Sequence, residues 1–112
     1  MPFNEFLGSA VDMNARRLIL FTKTYASDME AASEMVVHIF AVQSSVIWIG
    51  NTTIEDGDMR LNDVASISYN TDAKRGVLVG FPHANNLTNE TLQLISVFEM
   101  NTSYPYINEI NS

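Results

Sequence analysis

The stretch EMVVHIFAVQSSVIWIGN, residues 34–51, is the most apolar part of the chain and decides its fold. A single helix here would be apolar on nearly every face. The stretch is also rich in β-branched residues, which lose rotamer freedom in helices and pack well on pleated sheets. Gln43–Ser45 is the one polar break, and it leaves two pieces of common strand length. We therefore predict a hairpin: Met35–Val42, a turn, and Val46–Gly50.

The segments around this hairpin predict further strands. β-Branched and aromatic residues dominate residues 15–25, and residues 63–69 alternate between apolar and polar side chains. Residues 76–81 fit as the antiparallel partner of 63–69, since a turn rich in Asn, Asp and Gly separates the two. Tyr104–Ile107 predict a short last strand at an edge. Together these segments predict a mainly antiparallel sheet of about five to six strands.

A helix is predicted near the C-terminus. Its apolar positions follow the i, i+4, i+7, i+8, i+11 spacing of one helical face: Leu87, Thr91, Leu94, Ile95 and Phe98. Residues 26–34 are either one helical turn or an irregular entry to the next strand. The predicted fold class is α+β, with one or two helices packed on one face of the sheet. Residues 1–13 are predicted to form an N-terminal arm and residues 14–112 a single α+β domain, without an internal repeat.

Charge and composition limit the partners and the compartment. The 112-residue chain carries a formal net charge of -7 and has a pI near 4.5, so it repels phosphate backbones and anionic membrane surfaces. We predict no nucleic-acid partner and no membrane segment, because no apolar run reaches the length of a spanning helix. The chain has no cysteine and no signal-peptide pattern at its start. The expected location is cytoplasmic and possibly also nuclear.

The sequence offers little support for catalysis or metal binding. His38 and His83 are far apart, and a Ser44–His38 pair across the hairpin has no acid or oxyanion hole beside it. Calcium was considered for four acidic residues, but their spacing does not match a calcium loop; these are Glu55, Asp56, Asp58 and Asp63. We therefore expect a non-enzymatic protein without a catalytic site, cofactor or metal.

The central hairpin resembles that of the proteasome assembly chaperone 4 family. In both, a histidine lies within an aliphatic strand, a short polar turn follows, and the next strand carries a tryptophan and ends on glycine; here these are His38, Gln43–Ser45, Trp48 and Gly50. The order of the later elements is also similar. The resemblance implies a curved antiparallel sheet with two helices on one face. It also implies a chaperone that pairs through its sheet with a related chaperone 3-like subunit and helps order proteasome α-subunits during assembly of the 20S α-ring.

Both the resemblance and the apolar hairpin point to a partner surface. A hairpin that is apolar on both faces needs a cover on each, one supplied by the domain's own helix and the other by a partner. We predict that the even positions face the partner and the odd positions face the helix, in a hetero- or homodimer. A one-residue error in register would exchange the two faces. The predicted interface residues are His38, Phe40, Val42, Val46 and Trp48.

Two other function classes compete with the chaperone. A trafficking or signalling scaffold of the roadblock or profilin-like kind also uses a central sheet with flanking helices and mostly dimerises. A small-molecule-binding or hydrolytic α+β domain would need a concave pocket with convergent polar groups, for which the sequence gives no sign.

Overall fold

The computed structural model describes residues 3–25, 34–54, 59, 61–82 and 94–110. Within these residues every regular element is a β-strand, and the strands form two antiparallel sheets of four, in the orders β1-β2-β3-β4 (first sheet) and β5-β6-β7-β8 (second sheet). The strands are β1 (Phe3–Asp12), β2 (Arg17–Tyr25), β3 (Glu34–Val42), β4 (Val46–Ile54), β5 (Leu61–Asn70), β6 (Arg75–Pro82), β7 (Leu94–Met100) and β8 (Ile107–Glu109).

The predicted central hairpin is confirmed. β3 and β4 pair antiparallel around Gln43–Ser45, with Val42 opposite Val46 and Met35 opposite Ile54. Burial alternates residue by residue along β3, as a strand with one covered face requires. The strands predicted over 15–25, 63–69 and 76–81 correspond to β2, β5 and β6. A short last strand, β8, does lie at an edge, but only Ile107 of the predicted residues belongs to it, because Tyr104 and Tyr106 come before it.

The predicted α+β fold class is wrong for the described residues. Part of the predicted helix, residues 94–100, is β7, where Ser96, Phe98 and Met100 are buried while Ile95, next to Ser96, is 61% exposed. Leu94 and Phe98 fit a helical and an alternating pattern equally well, and pairing with the apolar strand β6 favours the strand. The remaining predicted helical residues, 26–33 and 85–93, lie outside the described part of the chain.

Three further expectations are corrected. Two sheets of four strands replace one sheet of five to six. The segment predicted to be an N-terminal arm contains β1, which pairs with β2 from Phe3–Tyr25 to Asp12–Arg17 and so belongs to the first sheet. The odd positions of β3 face the second sheet and not a helix, because the inner faces of the two sheets share one core.

The core lies between the two sheets, which pack face to face. The first sheet contributes Ile19, Phe21, Val37 and Ile39, all with 0% exposure, and the Phe21 ring meets Phe98 of the second sheet edge-on at a centroid distance of 5.6 Å. Beside Phe98, a β-carbon at Gly76 would overlap the ring, so this position of β6 has to be glycine. Each sheet thus covers the apolar inner face of the other.

Two hairpin loops repeat the same turn, although no internal repeat was predicted. Residues 12–17 read DMNARR between β1 and β2, and residues 70–75 read NTDAKR between β5 and β6. The first side chain of each stretch accepts the backbone N–H of the alanine three residues on, at 2.9 Å in both loops. The residue after each alanine has a left-handed backbone, with φ of 56° at Arg16 and 58° at Lys74. The first hairpin of each sheet therefore has the same turn.

Candidate partner-binding surface

The outer face of the first sheet consists of cross-strand rows that run over all four strands. One row, which we call the apolar row, is Val11–Leu18–Phe40–Trp48. The neighbouring rows are Ser9–Leu20–His38–Asn51 and Phe6–Thr22–Val36–Thr53, and the pair Val42–Val46 lies at the turn. None of these residues is Asp, Glu, Lys or Arg, although 17% of the chain is charged.

The apolar row is open to solvent at both ends. Val11 is 47% exposed and Trp48 is 54% exposed, whereas Leu18 and Phe40 between them are partly buried by their neighbours. Val46 at the turn and Phe6 at the other end of the face are also among the exposed large apolar side chains. Contiguous exposed apolar side chains of this kind mark interaction surfaces on soluble proteins.

The five residues predicted from the sequence all lie on this face. His38, Phe40 and Val42 are the outward positions of β3, and Val46 and Trp48 are their partners or neighbours on β4. β4 has a β-bulge at Ile49, since Phe40 pairs with Trp48 and Ile39 pairs with Gly50. The outward side chains of β4 are therefore at even positions before the bulge and at odd positions after it. The structure thus brings the five side chains together, and their role in binding a partner stays a prediction.

His38 has a specific neighbour on this face. The Trp48 ring N–H donates to His38 Nδ1 over 3.4 Å, a long hydrogen bond, which requires an unprotonated Nδ1. Burial lowers the pKa of His38 from its ordinary value of 6.5. The imidazole is therefore neutral at pH 7 and helps to fix the orientation of the Trp48 indole. The imagined Ser44–His38 pair is not formed, because Ser44 lies exposed in the turn and Nδ1 accepts from Trp48.

Sequence reasoning missed half of the apolar row. Val11 lies in the segment assigned to an arm, and Leu18 was recognised as a strand residue without an assigned face. The signal was present in the parity of β2, where Leu18 and Leu20 share one face and Ile19 and Phe21 the other. Only the pairing of β1 with β2 shows that Val11 continues the row.

A polar cluster beside the two hairpin loops connects the two sheets. The Asp12 side chain is fully buried, and its carboxylate accepts the Tyr69 hydroxyl at 2.8 Å and lies 4.0 Å from the Lys74 ammonium. Burial, the hydrogen bond to Asp12, and the negative charges of Asp12 and Glu99 raise the pKa of Tyr69 above 10.0. Every polar contact of Asp12 leads to another part of the chain's own fold, which indicates a structural role.

Other predicted positions give no site among the described residues. No group of three or more His, Asp or Glu side chains is placed to hold a metal ion within that part of the chain. Three of the acidic residues considered for calcium, at positions 55, 56 and 58, and His83 lie outside it. No helix within the described ranges is both long and apolar enough to cross a membrane.

The chain was compared with protein-family models, with curated proteins and with solved structures, and none of them matches it.

Proposed function

We propose that this chain is a non-enzymatic protein-binding module, and that the outer face of its first sheet packs on the sheet of a related subunit. The observation that carries the proposal is the apolar row Val11–Leu18–Phe40–Trp48, which crosses all four strands and, with its two neighbouring rows, contains no charged residue. Burying such a row removes apolar area from water at about 25 cal/mol per Å².

The chemistry of the face favours a partner that is itself a sheet. The first sheet is four strands wide, roughly 15–20 Å, and its long strands reach about 30 Å, which approaches the roughly 800 Å² per partner of a standard interface. Two pleated faces pack with their strands nearly aligned, so that ridges of side chains interdigitate. The three rows without charged residues fit an equally uncharged surface, because neither side leaves an ion buried without a counter-charge. Glu34, which is exposed on the same face, lies beyond these rows at the end away from the turn.

Trp48 and Phe40 are the proposed anchors. Large aromatic side chains contribute a large share of the binding free energy in many complexes. Trp48 presents its indole with its N–H already bonded to His38, so binding does not leave that donor unsatisfied.

The resemblance of the central hairpin gives this proposal its most specific form. In that form the partner is a chaperone 3-like subunit, and the pair assists assembly of the 20S proteasome α-ring. This form rests on the hairpin sequence alone, because the described residues are all strand and the family's helices are not among them. A dimerising scaffold of the roadblock or profilin-like kind is the alternative, and it would use the same face.

The proposal is tested by a matched pair of charge variants. Trp48→Glu places a charge on the proposed interface, and Ile95→Glu places one on the outer face of the second sheet, where Ile95 is 61% exposed. Tagged wild-type and variant chains are each mixed with a chaperone 3-like subunit and with proteasome α-subunits, and the complexes are weighed by native mass spectrometry. We expect Trp48→Glu to weaken the complex at least about a hundredfold, and Ile95→Glu to leave it unchanged.

Two results would overturn parts of this proposal. Equal losses in Trp48→Glu and Ile95→Glu would remove the first sheet as the binding face. A wild-type chain that forms no complex with either component would remove the proteasome-specific form. Circular dichroism of both variants shows whether each has kept its sheets.

A further inference from the structure

Three of the four edge strands carry features that discourage pairing with another chain. β1 bears Glu5 and lies against β5, where a β-carbon at Gly8 would come within 2.6 Å of the Ile67 side chain. β5 bears Asp63 and has two register shifts that bend its edge. β8 is only three residues long. Charges, bulges, short length and cover are the usual means by which natural sheets avoid edge-to-edge association.

β4 is the exception. It is nine residues long, contains no proline and no charged residue, and pairs only with β3 among the described strands. Its single irregularity is the bulge at Ile49, which leaves Gly50–Ile54 as a regular, uncharged edge. Such an edge presents backbone N–H and C=O groups to any strand that can approach it.

We propose that β4 pairs antiparallel with the β4 strand of a second copy of this chain, over Gly50–Ile54 with Thr52 at the two-fold axis. The pairing places Asn51 of each copy opposite Thr53 of the other and joins the two first sheets into one continuous sheet of eight strands. Opposed β-branched and hydroxyl-bearing side chains stabilise antiparallel pairs, and no like charges meet.

The charge distribution permits a second copy at this edge. Two chains of net charge -7 repel each other over most orientations, and Gly50–Ile54 is a stretch that two copies can bring together without opposing acidic residues. Residual repulsion between the remaining surfaces weakens the dimer at low ionic strength, so raising the salt concentration increases the dimer fraction.

The inner side of this edge is incompletely filled by the chain's own side chains. A cavity of about 250 Å³ lies between β4 and β8, lined on one side by Thr52 and Ile54 and on the other by Pro105 and Ile107. In the proposed register Thr52 of the second strand, at the two-fold axis, lies at the mouth of this cavity. Because the pairing uses backbone groups at the edge, it leaves the apolar row uncovered and does not depend on the function proposed above.

Cysteine cross-linking tests the register directly, since the chain has no cysteine of its own. Asn51→Cys and Thr53→Cys are prepared separately, mixed in equal amounts, and oxidised mildly, and Ser66→Cys on the exposed edge strand β5 is the control. Residues opposite each other in an antiparallel pair have Cα atoms about 4.5–5.5 Å apart, which a disulfide can span. We expect the mixed disulfide roughly tenfold faster than the Ser66→Cys dimer, because random collisions alone produce the latter. A mixture that dimerises no faster than the control overturns the proposal.

Sedimentation equilibrium without oxidation gives an independent test. The double variant Asn51→Lys/Thr53→Lys sets like charges directly opposite each other in the proposed pair, whereas Ser66→Lys/Ser68→Lys adds the same charge on β5. We expect the wild-type chain and the Ser66/Ser68 variant to dimerise more as salt is raised, and the Asn51/Thr53 variant to stay monomeric. Equal behaviour of the two variants, or a wild-type chain that stays monomeric in high salt, overturns the proposal.

Discussion

The two hairpin loops share one turn but place its first side chain on opposite sides of their sheets. Asp12 points into the space between the sheets and is fully buried, whereas Asn70 points outward and is exposed. The local turn follows from the local sequence, but the side that faces inward follows from the apolar pattern of the strands. In the first sheet Ala10, Ile19 and Phe21 face the core, and Asp12 lies on the same side.

This difference also decides what each sheet shows to solvent beside the loops. On the first sheet the outer row next to the loop is the apolar row. The corresponding outer row of the second sheet is Asn70–Arg75–Glu99–Asn108, which is polar and carries one charge of each sign. A shift of one residue relative to the same turn thus separates an apolar row from a polar row with two charged residues.

Removing the two turn side chains gives the largest expected contrast. Asp12→Ala leaves the Ala15 N–H and the Tyr69 hydroxyl without their acceptor inside the fold, and we expect a loss of about 3 kcal/mol in the free energy of unfolding. Asn70→Ala removes one exposed hydrogen bond and costs about 1 kcal/mol. Urea unfolding of both variants measures the difference. Equal losses would show that Asp12 does no more than close its turn.

Tyr69→Phe tests the link between the two hairpins. At neutral pH we expect a loss of about 1 kcal/mol, because Asp12 keeps the Ala15 N–H and Lys74 as partners. The raised pKa of Tyr69 means that the folded state favours the neutral phenol, so this contribution is complete below pH 10 and is lost as pH rises above it. Unfolding curves at rising alkaline pH should therefore fall less steeply for Tyr69→Phe than for wild type. Parallel curves would contradict the Tyr69–Asp12 link.

The two outer faces are compared by dye binding. Trp48→Ser should change the free energy of unfolding by less than about 1 kcal/mol, because the side chain is 54% exposed, but it should reduce the fluorescence of an apolar dye such as ANS. Ile95→Ser, at a similarly exposed position of the second sheet, should leave the dye signal unchanged. Equal reductions would mean that the second sheet offers an apolar surface of the same kind.

The smallest expected effects come from the left-handed residues that end the two turns. Arg16→Gly relieves an unfavourable backbone conformation and should raise the free energy of unfolding by about 0.5 kcal/mol. Lys74→Gly relieves the same strain but also removes the ammonium group near Asp12, so we expect no net gain. Thermal unfolding followed by circular dichroism measures both. A larger gain for Lys74→Gly would show that its ion pair contributes nothing.

The central hairpin could be predicted because its β-branched residues and its polar break agree on one structure. The C-terminal strand could not, since Leu94, Ile95 and Phe98 satisfy a helical spacing, and the alternation of β7 is decided only by its pairing with β6. The class of fold was wrong for this reason. The local sequence pattern cannot distinguish a helix from a strand when it fits both periods and the structure depends on pairing with a strand elsewhere in the sequence.

The candidate surface could likewise be predicted only in part. Phe40 and Trp48 could be placed together because a single turn separates them, but the extension of their row to Val11 depends on the pairing of β1 with β2. The contact between Asp12 and Tyr69 joins residues 57 positions apart, and the sequence near either residue does not predict it. What escaped prediction is therefore the strand β1, the choice of strand over helix at β7, and the contacts between the two sheets.

The order of the strands has a consequence for how the molecule can come apart. The described chain passes from one sheet to the other once, between Ile54 and Leu61, and every strand pair lies on one side of that passage. Cleavage there would break no ladder of backbone hydrogen bonds between strands. Among the described residues, the shared core and the Asp12–Tyr69 bond join the two fragments, so we expect a chain cleaved there to keep its two sheets associated.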